Sequence, residues 1–228
     1  MNPLFIPDSP TGEYRCLRDL NLYNSPACRE LATQAAAGRH LQIVSPEVVD
    51  DGVRVQLRED GYLAWLSVED IEAIEPSPVP YQAIPVSRAE IEERIPDIIA
   101  FTESARNTPN HYLWGGTLAP NYDCSGLMQA AFSASGIWIP RDSYQQEAFC
   151  QTIHREELQP GDLIFFGNER INHVALYLGN NSYIHSSGKE MGRNGIGIDI
   201  LSETGDEVSR NYFHKLRGFG RVMGGYTE

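Results

Sequence analysis

A run of prolines splits this chain into two stretches with different periodicities. Glu75-Pro76-Ser77-Pro78-Val79-Pro80, followed by Pro85, reads as a semi-rigid connector over residues 76–88, because proline cannot donate to a ladder or continue a helix. Before it, over residues 1–75, short runs rich in β-formers recur at residues 14–17, 40–44, 53–57 and 62–66. Turn signals such as Asp50-Asp51-Gly52 and Glu59-Asp60-Gly61 separate them. Some five short strands predict a small all-β barrel. After the prolines, over residues 89–228, helices come first and strands later. Ser87-Arg88-Ala89-Glu90 is a capping-box pattern opening a helix. Pro96 ends or kinks that helix and suits the first turn of another over residues 97–106. An apolar helical run follows Asp123 and stops at Gly136; strands are predicted at residues 162–166, 173–178, 182–185, 197–200 and 216–221. Helices followed by strands make this half α+β.

The chain has 228 residues and 41% hydrophobic content, enough for two small cores. Its net charge of −13 argues against nucleic acid as a partner. No stretch approaches the ~20 apolar residues of a membrane span. The start, Met1-Asn2-Pro3-Leu4-Phe5-Ile6-Pro7-Asp8, lacks the basic and long apolar regions of a secretory signal. The four cysteines, Cys16, Cys28, Cys124 and Cys150, are too sparse for a disulfide framework. A cytoplasmic, monomeric protein is the expectation.

One of those cysteines stands apart. In Asp123-Cys124-Ser125-Gly126, Asp123 is a good N-cap and Cys124 falls in the first helical turn. Unpaired N–H groups and the helix dipole there favour an anionic sulfur, so a lowered thiol pKa is expected. A base is available downstream. His173-Val174-Ala175-Leu176-Tyr177-Leu178-Gly179 reads as a strand with His173, Ala175 and Tyr177 on one face. Gly179-Asn180-Asn181 turns it into a second strand, Ser182-Tyr183-Ile184-His185-Ser186-Ser187. His185 can then neighbour His173 and fix its orientation, giving nucleophile, base and orienter. Taken singly, a helix-start cysteine is more often an apolar filler and a strand histidine a structural one. Two histidines and a cysteine also suit zinc, but neither C-x-x-C nor H-x-x-x-H spacing occurs, and no metal or cofactor is expected.

The flanking words carry a family resemblance. Tyr112-Leu113-Trp114-Gly115-Gly116, Tyr122-Asp123-Cys124-Ser125-Gly126-Leu127, Leu158-Gln159-Pro160-Gly161-Asp162-Leu163-Ile164-Phe165-Phe166, the His173 strand and Ile184-His185-Ser186 occur in that order and resemble the NlpC/p60 cysteine peptidases. The resemblance covers roughly residues 97–225. It implies a papain-like core, cleavage of peptide bonds in murein, and catalytic roles for Cys124 as nucleophile, His173 as base and His185 as orienter. It also implies that Tyr112 joins the Cys124 N–H in an oxyanion hole, where preplaced donors stabilise the charge developing on the carbonyl oxygen. Gly61-Tyr62-Leu63-Ala64-Trp65-Leu66 resembles a late strand of bacterial SH3-like domains, and Asn21-Leu22-Tyr23-Asn24-Ser25-Pro26 loosely resembles an earlier loop.

An SH3-like domain joined to such a catalytic domain resembles the γ-D-glutamyl-L-diamino acid endopeptidases of cell-wall recycling. That implies a stem-peptide substrate, L-Ala-γ-D-Glu-diamino acid, with a free N-terminal alanine that the small domain helps to recognise. The substrate-binding candidates are Ser125, Arg141 and Ser143 as donors to the D-glutamate α-carboxylate, Asp123 for an amino group, and Tyr62 for the alanine ammonium. The plainer readings are a solvated turn for Arg141 and Asp142, a helix cap for Ser143 and a core aromatic for Tyr62. Alternatives for the whole chain are another thiol amidase or acyltransferase, a murein-binding protein with an idle thiol, and a zinc protein.

Overall fold

The structure is a computed structural model that describes residues 8–227. The first seven residues, on which the expectation about a secretory signal rests, lie outside the described residues. The chain divides into two compact units, residues 8–84 with Thr227, and Pro85–Tyr226.

The first unit is one antiparallel sheet built from β1 (Glu13–Cys16), β2 (Leu20–Tyr23), β3 (Leu31–Ala35), β4 (His40–Val49), β5 (Gly52–Leu57), β6 (Leu63–Ser67) and β7 (Ile74–Pro76). Its strand order is β3-β2-β6-β5-β4-β1-β7. Residues from every strand meet in one core, among them Tyr14, Leu22, Ala35, Leu41, Val55, Leu66 and Ile74. One sheet can bring all its strands to one core only by curling around it, which is the small all-β barrel the turn signals predict. Tyr62 lies just before β6, half-buried against this core, so the plainer reading of its ring has a structural basis. The 21–26 word is not a loop throughout: Leu20–Tyr23 is β2, with Leu22 fully buried.

The proline stretch differs most from its expected role. Pro76 closes β7 opposite Tyr14, and the Ser77 N–H donates to the Glu13 carbonyl at 2.8 Å. The Tyr81 N–H donates to Glu13 Oε2 at 2.6 Å. These bonds attach residues 76–81 to the barrel, and the first unit runs to Ile84 rather than ending at residue 75. Proline composition marks an edge strand as readily as a linker.

The second unit holds α1 (Arg88–Asn107), β8 (Thr117–Leu118), β9 (Asn121–Tyr122), α2 (Cys124–Ala134), α3 (Ser143–Phe149), β10 (Gln151–Ile153), β11 (Leu163–Gly167), β12 (Ile171–Gly179), β13 (Ser182–Ser187), β14 (Gly195–Ile200), α4 (Glu207–Phe213) and β15 (Leu216–Arg221). The α+β class holds. Ser87 caps α1 through the expected reciprocal bonds with Glu90. The expected break at Pro96 is absent, and α1 is a single helix. Pro96 and Glu92 both face solvent, so water can satisfy the Glu92 carbonyl that loses its partner. The main sheet is antiparallel with order β10-β15-β11-β12-β13-β14. Both its faces are covered. Leu163, Phe165, Val174, Leu176 and Ile184 face the core shared with α1 and α2. Ile164, Phe166, Ala175, Tyr177 and Tyr183 face α4 through Val208 and Tyr212. This explains why β11 has no polar position.

Candidate active site

Cys124 opens α2, capped by Asp123. The Asp123 Oδ1 accepts the Gly126 N–H at 2.6 Å, and its Oδ2 accepts the Gly115 N–H at 2.9 Å. A Cβ on Gly126 would run into the Gly116 carbonyl, so glycine here lets the 112–116 loop lie on the first turn of the helix. The Asp123 N–H donates to that same carbonyl at 3.0 Å. Ser186 on β13 donates to the Tyr122 carbonyl at 2.6 Å and ties this corner to the sheet.

The N–H groups of Ser125 and of Val174, the residue after His173, face the Cys124 sulfur and favour its anion. They do not prevail. Burial pushes the thiol up to about 12, and the Asp123 carboxylate adds to the effect. The anionic sulfur expected from the helix terminus is therefore not the resting form. Sequence shows the capped helix but not that Cys124 is only 5% exposed.

His173 and His185 lie on adjacent antiparallel strands. The register pairs Leu176 with Ile184 and Tyr177 with Tyr183, so the two histidines are diagonal neighbours on one face. His173 Nε2 and His185 Nδ1 are 2.7 Å apart. The other ring nitrogen of His185, Nε2, lies 2.7 Å from Asp199 Oδ2 on β14. Tyr212 of α4 stacks on His173 at 4.4 Å between centroids and meets His185 edge-on at 4.8 Å. Its hydroxyl pairs with Ser187 at 2.6 Å. Sequence reasoning missed Asp199 and Tyr212. The signal for Asp199 is a lone carboxylate between Ile198 and Ile200 in a strand otherwise made of glycine and isoleucine.

Tyr112 is half-buried near Cys124. Burial, then the charges at Cys124 and Asp123, push its hydroxyl well above the usual tyrosine range, so it keeps its proton and remains a donor. Arg141 is not a solvated turn residue. It is 1% exposed, and its guanidinium forks onto Asp123, Nη1 to Oδ1 at 3.1 Å and Nη2 to Oδ2 at 2.6 Å, with Nη1 also 3.0 Å from Ser125 Oγ. These bonds cross-link the Cys124 turn to the segment that precedes α3. Ser143 is buried as the first residue of α3, whose cap is Asp142. Among the described residues, no three or more His, Cys, Asp and Glu side chains are grouped to hold a metal, and no helix is long and apolar enough to cross a membrane.

This arrangement carries a pH signature. Burial is the main reason that both His173 and His185 sit below the usual histidine range, so folding keeps them neutral. The unfolded chain protonates them near pH ~6.5. Unfolding then takes up protons, and stability falls as pH drops below ~6.5. Burial pushes Asp199 up, but hydrogen bonds from His185 and Arg193 outweigh it and hold it below the carboxylate range. Its contribution is present above ~3.9 and is lost at lower pH, in the same direction. A melting temperature that declines from pH 7.5 to 5 is expected; an unchanged value would contradict the buried neutral imidazoles.

A family model described as NlpC/P60 family matches residues 109–216, which contain the whole of this site. Residues 109–216 are an NlpC/P60 domain. A second model, the bacterial dipeptidyl-peptidase Sh3 domain, matches residues 22–71 of the barrel. The chain is 30% identical over 169 residues to a gamma-D-glutamyl-L-lysine dipeptidyl-peptidase of Bacillus cereus, covering 72% of this chain and 46% of the relative. It is 38% identical over 97 residues to a protein of the same name from Bacillus subtilis, covering 41% of this chain and 31% of the relative. It thus spans less than half the length of either. A solved NlpC/P60 family protein from Bacillus cereus shares the fold, with 24% identity, a TM-score of 0.50, and coverage of 95% of this chain and 65% of that one.

Proposed function

We propose that the protein is a cysteine endopeptidase that hydrolyses the γ-D-glutamyl–diamino acid bond of murein stem peptides bearing a free N-terminal L-alanine. The observation that carries the reading is the side-chain chain from His173 through His185 to Asp199, set beside a capped helix that begins with Cys124. Two relatives with 30% and 38% identity are named gamma-D-glutamyl-L-lysine dipeptidyl-peptidase, which supports the choice of bond.

The chemistry is acyl transfer in two steps. Because the Cys124 thiol rests protonated, His173 removes its proton as sulfur attacks the γ-carbonyl of D-glutamate. The Cys124 N–H and the Tyr112 hydroxyl donate to the oxyanion. His173, now imidazolium, protonates the leaving amine, and water activated by the same imidazole hydrolyses the thioester. The reading extends to a monomer acting in the cytoplasm on imported murein fragments, which light scattering and cell fractionation test.

The decisive experiment is mass spectrometry of products from L-Ala-γ-D-Glu-diaminopimelate and its N-acetylated form. Free diaminopimelate from the first peptide alone is the expected result. Cleavage of both forms would remove the requirement for a free amine, and cleavage of neither would overturn the endopeptidase reading.

A further inference from the structure

We infer that Asp199 is a positioning residue that sets the direction of the two-imidazole relay, so that His173 presents a lone pair, not a proton, to Cys124. The inference rests on the reading of Cys124 as nucleophile and His173 as base, and it concerns how that base is kept usable.

Two histidines joined by one hydrogen bond can be wired in either direction. In one, His185 Nδ1 accepts from His173 Nε2–H, and neutral His173 carries its lone pair on Nδ1. In the other, His185 Nδ1–H donates to His173 Nε2, and the proton of neutral His173 sits on Nδ1. Only the first leaves the free nitrogen of His173 able to take a proton from a thiol. The 2.7 Å between the two rings fits both.

Asp199 breaks the tie. An ionised carboxylate only accepts, so the 2.7 Å contact places a proton on His185 Nε2. Neutral His185 then has its lone pair on Nδ1, and His173 Nε2 must be the donor. Asp199 is held ionised and in place: Arg193 Nη2 bonds its Oδ1, Arg193 Nε donates to Oδ2 at 3.1 Å, and Ser209 Oγ donates to Oδ1 at 3.1 Å. Arg193 has a second use. A lone buried carboxylate would favour imidazolium at His185, which donates from both nitrogens and reverses the relay. Burial is the main force against that pull, the guanidinium charge adds to it, and His185 stays neutral. Tyr183 and Tyr212, both protonated, cross its ring edge-on, and Asp206 reaches the cluster through Arg193. Lys215 acts on His173 and disfavours its imidazolium form. Burial and the neighbouring cations outweigh the pull of Asp199 toward imidazolium, and the pair is neutral with one polarity.

Asp199→Asn tests this. With the amide oxygen held by Arg193 Nη2 and Ser209 Oγ at the Oδ1 position, the amide nitrogen takes the place of Oδ2, gives up the 3.1 Å bond from Arg193 Nε and donates to His185, which reverses the relay at nearly constant shape. The loss of kcat expected for a base in the wrong tautomer is on the order of 10²–10⁴-fold, with KM changed only a few-fold. Alkylation of Cys124 by iodoacetamide is expected to slow about tenfold or more at neutral pH, with an altered pH profile. Asp199→Glu, which keeps the charge, is expected to restore part of both. Wild-type turnover or wild-type alkylation in Asp199→Asn would overturn the inference. Alkylation does not involve murein peptide, so a wrong substrate leaves this test intact. If Asp199→Asn does not fold, side-chain ¹⁵N spectra of the native protein decide: a proton on His185 Nε2 supports the assignment, and one on Nδ1 refutes it.

Discussion

Replacing Cys124 with alanine should abolish turnover on a stem peptide while the protein stays folded. Removal of a nucleophile that acts as a unit with its base costs on the order of 10⁴-fold or more in kcat. The structural cost is small by comparison. Loss of one buried sulfur removes a single heavy atom, a change of about 1 kcal/mol. None of the bonds that shape this corner is made by the Cys124 side chain: Asp123 caps the helix, Gly126 admits the loop and Ser186 secures the corner. Cys124→Ser sharpens the test, because a hydroxyl fits the same space and is a much weaker acid. Activity within tenfold of wild type in either variant would rule out covalent chemistry at this sulfur. His173 and His185 provide an internal comparison. Replacing His173 removes the proton acceptor, whereas replacing His185 removes only its support, so His185→Gln should retain more activity than His173→Gln.

The largest stability effect is expected at Arg141. Its guanidinium and the Asp123 carboxylate form a bidentate pair with side-chain exposures of 1% and 10%. Arg141→Met keeps much of the volume and leaves a buried carboxylate without its counter-charge, a situation that costs about 3–5 kcal/mol. Asp123→Asn leaves the converse fault, and it weakens the cap as well. The double variant removes both charges and should be less destabilised than the sum of the two singles. Denaturant titration of all four forms gives the coupling. Additive losses, or an Arg141→Met protein as stable as the parent, would show that the pair is not what fixes this turn.

The site was legible where its chemistry is written in consecutive residues. Asp123 before an apolar helical run marks the α2 cap, and a paired set of β-formers around Gly179-Asn180-Asn181 marks the hairpin that brings His173 to His185. Asn180 and Asn181 do adopt the positive φ that such a turn demands. What escaped sequence reasoning depends on separations and burial that no local word records. Asp199 meets His185 only because Tyr183 pairs with Asp199 across β13 and β14, which puts the carboxylate diagonal to the imidazole. Arg141 stands in a Pro-Arg-Asp-Ser turn that looks solvated, and its partner is 18 residues away. The Cys124 thiol illustrates a contest of terms. The helix end pulls its pKa down, as sequence suggests, but the packing that excludes water pushes harder. Pro96 shows the limit of a breaker signal, since a helix tolerates proline where the orphaned carbonyl faces water.

The way the barrel ends has a practical side for anyone wishing to move it into another protein. Composition invites a cut at residue 75, ahead of the prolines. That cut would strip Tyr14 of its Pro76 neighbour and leave the Glu13 carboxylate, which also receives Arg58, without the Tyr81 amide. Glu13 is 7% exposed, so solvent is poorly placed to replace the lost donor. The transplantable module includes its own proline trailer and finishes at Ile84.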